Sequence, residues 1–208
     1  MFDQDSKPEL PAGMIYFPQL LSHQQQRDLI AQIRILVKIA PLYQPFLKSG
    51  KIMSVRMTNF GTRGWYSDEK GYRYIPHHPK TGKAWPPIPQ MLVQLWQEIT
   101  KRGDVPDCCL CNFYDPNAKM GLHQDRNEAS FDAPVFSLSL GDDAVFCYSP
   151  TRLKTQGGTL RLSSGDGLLF GGKSRMIYHG IDHIDARTGA SSLLNAPGRV
   201  NLTLRKTI

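Results

Sequence analysis

Two histidines and an aspartate, spread over two distant stretches, are the residues of this chain best suited to hold a metal: His123-Gln124-Asp125, and His179 much later. Two imidazoles and one carboxylate suit Fe(II), leave coordination positions open for a co-substrate and O2, and are the ligand set of the non-haem iron oxygenases. Near the carboxyl end, Arg199-Val200-Asn201-Leu202-Thr203-Leu204-Arg205 carries two guanidinium groups, natural anchors for a dicarboxylate. Together they predict chemistry with iron and 2-oxoglutarate. Each half alone also has a plainer reading. A His and an Asp two apart leave the same face of a strand, but the same pair in a surface turn needs no metal. On a strand, Arg199, Asn201, Thr203 and Arg205 share one face and Val200, Leu202 and Leu204 the other. That pattern fits an edge strand with its polar face in water. It also fits a strand whose polar face points into a barrel, where a dicarboxylate would pair the buried arginines.

Only a fold that brings distant strands together can place His179 beside His123, and the second half of the chain has the pattern for one. From Cys108 onward the period is two, in Leu110/Asn112/Tyr114, Val135–Leu140, Val145–Tyr148, Thr159–Leu162, Gly167–Phe170, Met176–His179 and Val200–Leu204. Many short strands with glycine turns argue for a jelly roll or related barrel. Earlier, Ser22 can cap a helix running to about Lys38 that Pro41 forbids from continuing. A second amphipathic helix, Gln90–Thr100, follows a stiff connection bracketed by Pro76, Pro79, Pro86, Pro87 and Pro89. Between them, Ser54–Tyr74 turns aromatic and basic among glycines and reads as a surface lid. Adjacent His77 and His78 lie in the proline-rich loop and read as exposed and structural. Cys109 and Cys111, two apart on an apolar run, read as buried thiols, as do Cys108 and Cys147, because their spacing suits neither zinc nor a disulfide framework.

Composition narrows the partners. The 208 residues, 40% hydrophobic and 21% charged, fit one soluble domain with an elaborated amino-terminal part, and no apolar run is long enough to cross a bilayer. The polar opening Met1–Glu9 lacks the apolar stretch of a secretory signal, which predicts a floppy leader and a cytoplasmic protein. A net charge of +7 favours a polyanion such as a nucleic acid, though scattered solvated lysines would give the same sum.

A series of ordered motifs then resembles one family. They include Met57-Thr58-Asn59, Gly64-Trp65, Gly71-Tyr72, Trp85-Pro86, Asn112-Phe113-Tyr114, Leu122-His123-Gln124-Asp125, Ser137-Leu138-Ser139-Leu140-Gly141, Ser174-Arg175, Tyr178-His179-Gly180 and the Arg199–Arg205 strand. Over nearly its whole length the chain is similar to the AlkB-type Fe(II)/2-oxoglutarate-dependent nucleic-acid dealkylases of bacteria. The resemblance implies a mainly β fold with flanking helices, a double-stranded β-helix (jelly roll) core and an N-terminal nucleotide-recognition lid. It implies Fe(II) held by His123, Asp125 and His179, with 2-oxoglutarate and O2 as co-substrates. It gives Arg199, Asn201 and Tyr114 the distal carboxylate of 2-oxoglutarate, and sets Arg205 and Asn112 near the carboxylate beside the keto group. Trp65 and Tyr72 would border the pocket of a flipped base, stacking on it and adding a cation–π attraction to a charged lesion. From the residues alone, Trp65 fits equally an exposed platform or a core tryptophan.

Asn127 stands where the bacterial family has an acidic residue that complements a cationic base; an amide can still accept a hydrogen bond but carries no charge. Arg161 is assigned to substrate binding, in a loop that aligns poorly. Arg56, Arg63, Arg73, Lys119, Arg126 and Arg175 could track phosphates, each also reading as an ordinary surface charge. The expected division is a leader (1–11), helices and lid (12–105) and the dioxygenase core (106–208). The expected activity is oxidative demethylation of bases of the 1-methyladenine and 3-methylcytosine type, chiefly in single-stranded DNA as alkylation repair and with RNA as a secondary candidate, releasing formaldehyde, succinate and CO2. The expected protein is a monomer needing no membrane and no protein partner. Two other classes share parts of the pattern: an oxygenase acting on a protein or small metabolite, and a non-catalytic nucleic-acid-binding module.

Overall fold

The computed structural model describes residues 9–189 and 193–208, so most of the expected leader, residues 1–8, lies outside the described residues. In chain order the elements are β1 (Met14–Phe17), α1 (His23–Ile39), β2 (Arg56–Gly61), β3 (Gly64–Asp68), β4 (Gly71–Ile75), α2 (Gln90–Thr100), β5 (Cys108–Tyr114), β6 (Met120–His123), β7 (Val135–Gly141), β8 (Asp143–Ser149), β9 (Gly158–Leu162), β10 (Gly167–Phe170), β11 (Tyr178–Asp185) and β12 (Arg199–Arg205). Six strands in the order β1-β10-β7-β12-β5-β2 form one sheet and four in the order β6-β11-β8-β9 the other. Leu110, Tyr114 and Phe170 of the first pack with Phe146, Leu160 and Ile181 of the second, the two-layer plan of a jelly roll.

Both helices cover the outer face of the six-stranded sheet. Ser22 and Gln25 form a reciprocal capping box at the start of α1, satisfying two amides that the first turn would otherwise leave unpaired. Leu29, Ile30 and Ile33 of α1, with Leu92 and Trp96 of α2, then bury against Cys109, Cys111, Leu138, Leu202 and Leu204. This layer decides how the strand nearest the carboxyl end is read. β12 is no edge strand: it pairs with β5 on one side and β7 on the other, and all seven of its residues are buried. With helices over its apolar face, its polar face has only the interior of the roll to point into.

The lid is a hairpin, β3–β4, in a sheet of its own. It is pinned by Asn59, whose amide accepts from the Trp65 backbone N–H at 3.0 Å and donates to the Trp65 carbonyl at 3.1 Å. The Trp85 indole donates to the Ile75 carbonyl at 2.8 Å. Gly64 is required there, because a Cβ would sit 2.5 Å from the Trp85 ring.

Three expectations need correction. β11 begins at Tyr178 and runs to Asp185, not from Met176 to His179, because the Ile177 amide turns back to the Ser174 carbonyl and pairing with β8 starts only at Tyr178. His77 is exposed, but His78 is 1% exposed. It is structural as expected, with Nε2 donating to the Pro41 carbonyl at 2.8 Å, Nδ1 accepting from the Lys80 and Thr81 amides, and its ring boxed by Tyr43 and Trp85. Arg175, grouped with surface cations, is 3% exposed. All four cysteines are free and buried, as expected.

Candidate metal centre and the two cavities beside it

His123 and His179 are directly opposite each other on β6 and β11, and their rings lie 4.4 Å apart. In both, Nδ1 faces a carbonyl two residues back, Gly121 at 3.0 Å and Ile177 at 3.1 Å. A carbonyl can only accept, so Nδ1 carries the proton and Nε2 keeps a lone pair for a metal. Such close pairing depends on Gly180, next to His179: a Cβ there would fall 2.4 Å from the Met120 carbonyl of the neighbouring strand.

Asp125 joins them by a different route from the one its spacing suggested. β6 ends at His123, and Asp125 lies beyond it, so the carboxylate is placed by side-chain bonds and not by the pleat of a strand. Arg205 grips it with Nε and Nη2, each donating to a separate oxygen at 2.9 Å. Among the described residues these three are the one cluster of His, Cys, Asp or Glu able to hold a metal, with ligand atoms all within 4.8 Å of one another.

The protonation states suit that task. Burial alone would raise the Asp125 carboxyl, but Arg205 and the two imidazoles outweigh it and hold the group well below the usual carboxylate range. Burial, helped by neighbouring His123, pushes His179 down to about 4, so it is neutral near pH 7 and free to coordinate. Arg205, which burial would discharge, is kept charged by Asp125 and by the more distant Tyr74 and Glu128.

Two cavities meet at this centre. The smaller, about 50 Å³, is lined by all five residues expected to hold the co-substrate: Asn112, Tyr114, Arg199, Asn201 and Arg205. Register explains the grouping, since Tyr114 is opposite Arg199 and Asn112 is opposite Asn201 on paired strands. Arg199 is 1% exposed, and among the described residues no carboxylate lies within 4.0 Å of it. It donates through Nη2 to Ser139 Oγ at 2.9 Å and lies 5.4 Å from the Tyr114 ring centre. Its Nε and Nη1, together with Arg205 Nη1 and Asn112 Oδ1, are buried without hydrogen-bond partners. A fully buried cation with unused donors is costly unless an anion completes it. A dicarboxylate such as 2-oxoglutarate therefore fits this lining, just as Fe(II) fits the two imidazoles and carboxylate.

The larger cavity, about 670 Å³, adjoins the smaller, and Leu110, Met120, His123 and Arg205 line both. Trp65, Tyr72 and Asn127 line it as expected. Trp65 is half-buried, packed on one side against the core and stacked on Tyr72, with centroids 5.6 Å apart and planes 24° from parallel.

Arg161 is not brought to either cavity. It lies on β9 with its guanidinium tied to Asp143 at 2.9 Å and Asp185 at 2.7 Å. Of the other expected phosphate contacts, Lys119 lines the large cavity, whereas Arg56 and Arg73 are paired with Asp115 and Asp68. Residues not anticipated as part of the site include Ser137 and Ser139, which bond Asn201 and Arg199. Their alternation along β7, a polar face matching that of β12, is a signal the sequence does carry. Tyr74, which donates to Glu128 at 2.5 Å, has no comparable signature.

Comparison with known proteins bears on the same residues. The profile of the 2OG-Fe(II) oxygenase superfamily matches residues 13–205. A Caulobacter vibrioides protein named alpha-ketoglutarate-dependent dioxygenase AlkB homolog is 44% identical over 93% of this chain and 87% of its own length. An Arabidopsis thaliana protein named DNA N(6)-methyladenine demethylase ALKBH1C is 34% identical over 93% of this chain and 48% of its own length. The solved structure of OsALKBH1 superimposes with a TM-score of 0.82 at 33% identity, covering 95% of this chain and 100% of that one.

Proposed function

We propose, for a chain that belongs to the 2OG-Fe(II) oxygenase superfamily and within it to the AlkB dioxygenases, that the two cavities receive 2-oxoglutarate and an alkylated nucleic-acid base on opposite sides of one iron. The activity is oxidative demethylation of nucleic acid. The observation that carries the arrangement is the pair of cavities sharing His123 and Arg205, one lined by unpartnered arginine donors and the other by stacked Trp65 and Tyr72.

Fe(II) with 2-oxoglutarate would supply oxidation by O2, one oxygen atom entering succinate as CO2 leaves and the other entering the N-methyl group of the base, whose hydroxymethyl form releases formaldehyde. The protein binds, orients and excludes. His123, Asp125 and His179 would hold the metal through three ligand atoms, a set that leaves coordination positions for co-substrate and O2. Arg205 fixes the orientation of the Asp125 carboxylate. Arg199, Asn201 and Tyr114 take the distal carboxylate of the co-substrate through the donors that Ser139 leaves free. Trp65 and Tyr72 stack on the extruded base, while Glu128 and Asp125 set negative charge near a cationic lesion.

The direct test incubates defined oligomers carrying 1-methyladenine or 3-methylcytosine with Fe(II), 2-oxoglutarate and O2, and follows them by mass spectrometry. Loss of the methyl mass with matching formaldehyde and succinate is expected. Succinate without any change in either DNA or RNA would redirect the search to a protein or metabolite substrate. Single strands are the expected substrate, because an unpaired base costs least to extrude. We also read the enzyme as a cytoplasmic monomer; among the described residues no helix is long and apolar enough to cross a membrane.

Two predictions concern the base. Trp65→Ala should weaken binding of a methylated single strand by about 1–3 kcal/mol, with uncoupled 2-oxoglutarate decarboxylation and melting temperature nearly unchanged. Equal loss of coupled and uncoupled activity, with a lowered melting temperature, would mean that the ring supports the fold and not the base. Asn127 is exposed at the cavity wall, where a charge is well screened. Asn127→Asp should favour cationic 1-methyladenine over neutral 1-methylguanine by a factor of about five, on the order of 1 kcal/mol. An unchanged rate ratio would show that position 127 does not read the base.

A further inference from the structure

Arg175 belongs to neither cavity, yet it is 3% exposed and carries a charge, so something must account for its burial. It follows the short turn Gly172–Ser174 on the way into β11. Its guanidinium makes three separate contacts. Nη1 donates to the Asp125 carbonyl at 2.7 Å, Nε donates to the Ala133 carbonyl at 2.9 Å, and Nη2 lies 3.3 Å from Glu128 Oε2. The plane also rests against Phe131, 5.2 Å from the ring centre.

All four partners belong to the segment between β6 and β7, which has no strand pairing of its own. That segment carries Asp125, while Arg175 stands four positions before His179. A second tie runs the same way, from Gln124 Nε2 to the Met176 carbonyl at 2.6 Å. Asp125 is thus held from two sides, its carboxylate by Arg205 and its backbone by Arg175.

We infer that Arg175 is a positioning residue for the metal centre: by bridging the Asp125 backbone, Ala133 and Glu128 it fixes the ligand-bearing segment against the strand that carries His179. This rests on reading His123, Asp125 and His179 as the metal site. Lysine cannot substitute fully, since an ammonium is a point charge, whereas the planar fork serves two carbonyls and a carboxylate at once. Partners of this kind, which hold a ligand without touching the metal, typically contribute 10- to 100-fold to affinity.

The test measures Mn(II) binding by the electron paramagnetic resonance of the free ion, with the full-length protein and no co-substrate, alongside the melting temperature and 2-oxoglutarate binding. Arg175→Met should bind Mn(II) about 10- to 100-fold more weakly. Arg175→Lys, which retains the charge facing Glu128, should melt close to the parent and still bind Mn(II) about tenfold more weakly. Binding of 2-oxoglutarate to the metal-free protein should stay unchanged in both, since the Arg199 end of its cavity is untouched. Lysine and parent proteins with Mn(II) affinities within twofold would overturn the inference. Should both Arg175 variants fail to fold, Phe131→Ala decides: Phe131 is 41% exposed, its loss removes the ring that rests against the guanidinium, and weaker Mn(II) binding is expected, with no change overturning the role. A parent that does not bind Mn(II) would sink the metal-centre reading and the positioning role with it, a failure distinct from a parent and variant that bind alike.

Discussion

His123→Ala, Asp125→Asn and His179→Ala are each expected to reduce demethylation to background, because each removes one of only three side chains available to the metal. The structure separates them as experiments. His123 is half-buried at the cavity junction, so its removal leaves the fold nearly intact and gives the cleanest result. His179 packs between Phe146 and Phe170, and truncating it also opens a void, so some loss of melting temperature accompanies the loss of turnover. Asp125→Ala would strip Arg205 of its bidentate partner, leaving a buried cation poorly compensated at a cost of about 3–5 kcal/mol. Asn keeps the shape and a hydrogen-bond acceptor. Formaldehyde release, Mn(II) binding and thermal melting measured together check the assignment. Undiminished activity in any one of the three would remove that residue from the centre.

Arg199→Met should raise the 2-oxoglutarate requirement by tens- to thousands-fold, which corresponds to a loss of about 2–5 kcal/mol for a charged hydrogen bond to a buried carboxylate. The melting temperature without co-substrate should move the other way or hardly at all. Burial already lowers the pKa of Arg199, and replacing a desolvated cation by an apolar chain of similar length is commonly neutral or stabilising. Adding 2-oxoglutarate should stabilise the parent, by about 2.7 kcal/mol at a hundredfold excess over its dissociation constant, and leave the methionine variant flat. An unaltered dependence of turnover on 2-oxoglutarate would take Arg199 out of the co-substrate site.

What could be read from residue order alone follows a physical division. Helix caps, the proline stops and the period-two strands are local, and α2 falls on Gln90–Thr100 as its spacing predicts. The facing of β12 was half legible: alternation showed two faces, but which one lay inside depended on helices far away in sequence. Asp125 shows the limit of spacing arguments, because a carboxylate two residues from His123 joins the histidines from outside the strand. Arg175, Glu128 and His78 were least legible, since a charged or polar side chain looks the same in sequence whether water or a buried partner satisfies it. Arg161 shows the reverse, a cation that salt bridges on the outer side of its strand hold away from the site.

Gly180 lines the small cavity but offers no side chain to metal, co-substrate or base. Yet the Met120 carbonyl stands where its Cβ would be, and the approach of β11 to β6 at that point is what brings two imidazoles within reach of a single ion. A position of this kind is constrained by volume, not by chemistry. Any side chain there, however inert, wedges open the seam on which the histidines meet.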